Sequence, residues 1–143
     1  MSDSPGLVLP SYFSHFKWPL KLVATEDGGM RAWRLARGGG WESADDAIDE
    51  VIFAMGGEVK VLTPDRFVQL AEWHRARHLR GEGPVFALYE TIKAIEETAE
   101  SDGRGLTDKE RAIVAGLRRR TFVMFEEELR RRGDPGADPS VAV

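Results

Sequence analysis

The feature that most constrains this chain is a long helix over residues 107–132. Thr107 followed by Glu110 forms a capping box, in which each side chain accepts a hydrogen bond from the other residue's backbone N–H. Charged helical sequence then runs to about Arg132, and Gly133 and Pro135 lie just beyond it. The rest of the chain has to supply a layer on which this rod can bury one face.

That layer reads as a small sheet. Residues 20–26 alternate Leu20, Leu22 and Ala24 against Lys21, Val23 and Thr25, the period of a strand. Asp27-Gly28-Gly29 tolerates positive φ, and residues 30–37 read as the return strand of a hairpin that Gly38-Gly39-Gly40 ends. Ser43 with Asp46 reads as the cap of a helix whose apolar face is Ala44, Ala47, Ile48, Val51, Ile52 and Met55, stopped by Gly56-Gly57. A short strand over 58–62 precedes Thr63-Pro64-Asp65, which supplies an N-cap, a first-turn proline and an acid. The helix begun there is expected to reach Arg80, and Gly81-Glu82-Gly83-Pro84 restarts the chain into another helix over 85–100. The order ββαβααα predicts an α+β domain, a small antiparallel-containing sheet with helices packed on one face and the long helix last.

Two flanking segments stand apart. Residues 1–19 are broken by proline and gather Tyr12, Phe13, Phe16 and Trp18, too much aromatic area to stay in water, so they are expected to dock on the domain, 20–132, or on a partner. Residues 133–143 are rich in proline and glycine and read as a disordered tail.

Composition narrows the function. With 42% hydrophobic residues the chain can form a core unaided, and with no cysteine it lacks disulfides, thiolate metal sites and a cysteine nucleophile. No apolar stretch approaches the ~20 residues of a membrane helix, and the first residues lack the basic region of a signal peptide, so no membrane is expected and the cytoplasm is the expected compartment. A net charge of −4 disfavours polyanion binding by the surface as a whole. The glycine triplet before an acidic helix start (Glu42, Asp45, Asp46) lacks phosphate-loop spacing and reads as an ordinary turn. No nucleophile-and-base pattern and no cofactor fingerprint is present.

Three constellations remain. His74 and His78, at i,i+4, could chelate a metal, but Arg75-Ala76-Arg77 fills the space between them and no third ligand is signalled, so structural histidines are the ordinary reading. Arg66, Trp73, Arg77 and Arg80 share the polar side of the same helix, a composition suited to stacking on a partner or packing under the N-terminal aromatics. In the last helix, Arg130, Arg131 and Arg132 each follow a glutamate by four residues and read as internally paired. Arg118, Arg119 and Arg120 have no such partner and are expected to meet the acidic helix at 45–50, a partner or phosphates. Phe122 and Val123, within Phe122-Val123-Met124-Phe125, place more apolar surface around the helix than one face can bury, which suggests a homodimer or protein contact. The leading expectation is a protein–protein interaction or accessory module, set against a nucleic-acid-binding regulator and a metal-dependent protein.

Overall fold

Apolar residues on both sides of every central strand require that the sheet be covered twice. The computed structural model describes residues 8–53 and 57–143. Its strands are β1 (Ser11–His15), β2 (Trp18–Ala24), β3 (Met30–Leu35), β4 (Trp41–Ser43) and β5 (Val59–Leu62), all antiparallel in the order β4-β3-β2-β1-β5. The helices are α1 (Ile48–Ile52), α2 (Pro64–His78), α3 (Pro84–Ser101) and α4 (Asp108–Arg131). The α+β class and the long C-terminal helix are as expected.

On one face Tyr12, Trp33, Leu35 and Trp41 meet Phe67, Val68 and Ala71 of α2 and Phe122 and Leu129 of α4. On the other, Phe13, Leu20, Leu22 and Ala32 meet Ala44, Ala47 and Val51. The long helices therefore take one face, while short α1 and the turn before it cover part of the opposite one. The cap predicted at Ser43 does not form: Ser43 ends β4, and Asp45 instead accepts from the Ala32 N–H at 2.8 Å. Met55 and Gly56, like residues 1–7, lie outside the described residues.

In the aromatic segment expected to dock on the domain or on a partner, the described residues enter the sheet itself, with Tyr12 and Phe13 in β1 and Trp18 opening β2. β1 lies between β2 and β5, and Phe16 and Lys17 turn the chain with φ of 51° and 67°. A two-residue hairpin of type I′ needs positive φ at both positions, which glycine, asparagine or aspartate usually supplies. Here tertiary bonds hold the turn: the Phe16 N–H donates to the Glu58 carbonyl (3.0 Å), and His74 Nε2 donates to the Lys17 carbonyl (2.9 Å).

The segment 133–143, expected to be disordered, is ordered. It folds back over the sheet, ends in a short helical turn at Pro139–Ala142, and buries Val141 in the core. Gly136 lies flat on two indoles, where an added Cβ would fall 2.5 Å from Trp41 Cβ, and its carbonyl accepts from Lys21 Nζ at 2.6 Å. Composition suggested disorder, but the tail supplies the lid that Trp33, Trp41 and Lys21 require. Gly136→Ala is expected to destabilise the fold by about 1–3 kcal/mol through overpacking. Gly105→Ala, with no atom near its Cβ, should leave the thermal midpoint unchanged; equal melting of the two variants would show that the lid is not packed as described.

Candidate functional site

The inward face of α2 carries charge as well as hydrocarbon. Glu72 and Arg75 follow Phe67, Val68 and Ala71 around the helix, and their side chains have no exposed surface. Glu126 of α4, expected to pair outward with Arg130, turns inward instead and is equally buried. Arg75 donates to Glu72 (2.8 Å), to Glu126 (2.5 Å) and twice to the Gly39 carbonyl (3.0 and 2.8 Å). Trp41 Nε1 and the Asp138 N–H donate to Glu126, and the Tyr89 hydroxyl donates to Glu72 at 2.8 Å. Lys21 lies 4.6 Å over the Trp41 ring. With Arg75 and Lys21 against Glu72 and Glu126, the buried charges balance.

Burial alone would lower the Arg75 pKa; the two carboxylates more than offset it, so the guanidinium is held above its ordinary value. Burial depresses Lys21, against the opposing pull of Glu126 and Asp138. Burial raises both tyrosine hydroxyls, helped by Asp138 at Tyr12 and by Glu72 at Tyr89. The neighbouring void beside Trp18, Leu35, Gly39 and Arg75 has no water-sized space. This cluster is cross-linking rather than a place where a substrate could reach. The glycine loop confirms that reading, since Gly39 has φ of 94° and directs its carbonyl inward, while its N–H is used by the Ala36 carbonyl.

The accessible concavity lies between α2 and α3. α3 packs along α4 with no comparable packing against α2, and the splay leaves a groove of about 650 Å³. Trp73, Arg77, Arg80 and Arg118, all singled out from sequence, come together on it. Trp73 is 39% exposed, and the Arg77 guanidinium lies 3.9 Å over its ring. Arg80 donates to the Arg77 and Leu79 carbonyls at the end of α2. The opposite wall was missed in the sequence: Glu90, Lys93, Glu97 and Glu100 recur along one side of α3. Their helical spacing was the available signal. Phe86 and Tyr89 line the groove between the charged walls.

The other predicted residues lie elsewhere. Arg66 and Arg120 are exposed and do not line the groove. Arg119 grips Asp65 at 2.7 and 3.3 Å, and Arg118 reaches Glu96 at 3.3 Å. Neither meets the acidic segment at 45–50, which covers the far face of the sheet. Phe122 is fully buried in the core, so it offers no partner surface, and Val123 is half-buried. Of the pairs expected at the end of α4, Arg132–Glu128 forms at 3.0 Å, whereas Arg131 also turns to Glu128 and Arg130 to Asp138.

His74 and His78 stack on each other at 5.8 Å and on Trp18 at 4.0 and 5.5 Å. His74 Nε2 is committed to the Lys17 carbonyl, and burial pushes its pKa below the usual imidazole value. Among the described residues no group of three or more potential ligands gathers around a point.

Comparison with protein-family models, curated proteins and solved structures finds no match.

Arg75→Met would leave two buried carboxylates without their counter-charge, and is expected to cost about 3–5 kcal/mol by chemical denaturation; a loss under about 1 kcal/mol would refute a shared guanidinium clamp. The two tyrosines predict a pH effect. Because their folded pKa values lie above the ordinary phenol value near 10, their contribution to stability is intact below about pH 10 and is lost as pH rises beyond it. Ultraviolet difference spectra should show tyrosinate forming together with unfolding, and ionisation of both rings with the circular dichroism intact would contradict their burial.

Proposed function

We propose that this chain is a small cytoplasmic protein–protein interaction or regulatory accessory module, acting by binding rather than by catalysis, with the α2–α3 groove as its partner surface. The observation that supports this most is the Trp73–Arg77 stack on the edge of an open groove. Tryptophan and arginine are among the side chains that most often carry interface energy, and each offers a large flat contact surface. Stacking holds both in place before a partner arrives, which lowers the cost of binding. The groove extends along α3 from Phe86 to Glu100, about 21 Å at a helical rise of 1.5 Å per residue. That length suits a helix or extended segment laid into it.

A nucleic-acid ligand fits less well. Its phosphates would meet Glu90, Glu96, Glu97 and Glu100 along with the arginines. No membrane contact is part of the proposal, and no helix among the described residues is long and apolar enough to cross a bilayer. A metal-dependent role lacks a ligand set: His74 Nδ1 has no hydrogen-bond partner but is buried, and among the described residues no group of three or more potential ligands gathers around a point.

A photo-cross-linking amino acid at position 73, in the chain expressed in its host, tests the proposal. It is expected to trap a discrete protein adduct that Arg77→Glu with Arg80→Glu abolishes. Adducts formed only from probes at positions 66 and 120, outside the groove, would reject it.

A further inference from the structure

We infer that the partner seated in the α2–α3 groove is a second copy of this chain, related by a two-fold axis; this rests on the groove being the partner surface. An isologous interface meets itself, so a patch of one sign would repel its copy, and a self-complementary patch must carry both signs in balance. The groove has that balance. Arg118 and Glu96 pair with each other, leaving Arg77, Arg80 and Lys93 against Glu90, Glu97 and Glu100. None of these six has an ion-pair partner among the described residues.

The signs are also separated in space. Arg77 and Arg80 stand at the end of α2, while α3 carries the three glutamates with Lys93 among them, so one wall is net cationic and the other net anionic. A two-fold rotation therefore sets the arginine wall of one copy on the glutamate wall of the other, and the same contact is made twice. A partner with one charged face would satisfy only one wall and leave the other to be desolvated without compensation.

The shape of α3 permits the approach. One flank packs on α4 and the other is open. Along the groove this open flank presents Phe86 and Tyr89 between its charged side chains. The partner's α3 can then rest along the groove, with Trp73 and its stacked Arg77 closing over it. The contact is small beside the ~800 Å² per partner of a standard interface. The dimer is accordingly concentration-dependent, and salt weakens it because its charges lie at the rim.

Analytical ultracentrifugation of the full chain over about 1–100 µM, at low and high salt, provides the test. The expected result is a monomer–dimer equilibrium that shifts towards monomer in high salt. Arg77→Glu with Arg80→Glu should be monomeric, as should Glu97→Arg with Glu100→Arg. An equimolar mixture of the two variants should recover the dimer, because each supplies the wall the other has lost. If either swap unfolds the chain by circular dichroism, Arg77→Gln with Glu97→Gln replaces it and should still shift the equilibrium towards monomer. A wild-type chain that is monomeric throughout, or a dimer indifferent to both swaps, overturns the inference. A monomer whose position-73 probe traps a different host protein overturns the second-copy occupant alone, and a monomer that traps nothing overturns the groove reading with it.

Discussion

One buried guanidinium holds this fold together. Arg75 is fully enclosed, and its donors reach α2 through Glu72, α4 through Glu126 and the β3–β4 loop through the Gly39 carbonyl. Its charged face is sandwiched by aromatic carbon, with the Phe125 ring centred 4.2 Å away. Placing an ion where water cannot reach costs several kcal/mol. The arrangement therefore persists only because every buried side-chain nitrogen and oxygen in it has a hydrogen-bond partner. Glu126 shows how full that engagement is, accepting from Arg75, the Trp41 indole and the Asp138 backbone together.

This network also sets the groove. Tyr89 lines the concavity, and its hydroxyl is fixed by Glu72, which in turn is fixed by Arg75. α3 is thus tied to α2 at one point of its length while it packs along α4, so the two helices are joined without closing on each other. The histidines serve a similar mechanical end at the far side of α2. By receiving the His74 bond, the Lys17 carbonyl stabilises a left-handed turn that phenylalanine and lysine would otherwise adopt only at a cost.

Local rules read the local features well. Caps are interactions over three or four residues: Thr63 and Thr107 cap their helices as expected, with Glu110 bonded back and its carboxyl held at about 2 by Arg104 and the Thr107 backbone. The cap expected at Ser43, by contrast, gives way to β4 and to the Asp45 bond with Ala32. Glu126 defeats the same rules. An i,i+4 glutamate–arginine pair looks identical in sequence whether the glutamate faces water or core, and only the burial of Arg75 and Trp41 decides the matter. Phe16-Lys17 hides a hairpin because the residues that stabilise it, Glu58 and His74, are far away in the chain. Gly136 reads as flexible by type, yet the two tryptophans leave no room for anything larger. The cationic wall of the groove was legible because Trp73 among arginines is unusual on a helix. The acidic wall was not, since glutamates on an amphipathic helix also describe an ordinary wet face.

The contact between Lys21 and the Gly136 carbonyl has a further consequence for how the chain matures during synthesis. The lysine sits in a central strand, and its acceptor arrives 115 positions later. Until that stretch leaves the ribosome, Trp33 and Trp41 lack the cover of Gly136 and the Lys21 ammonium lacks its backbone acceptor. Native closure has to wait for translation of residues 133–143, so the nascent intermediate is an open sheet with a sticky aromatic face. A nascent chain from which Gly136 has not yet emerged is thus the form most open to chaperones and proteases.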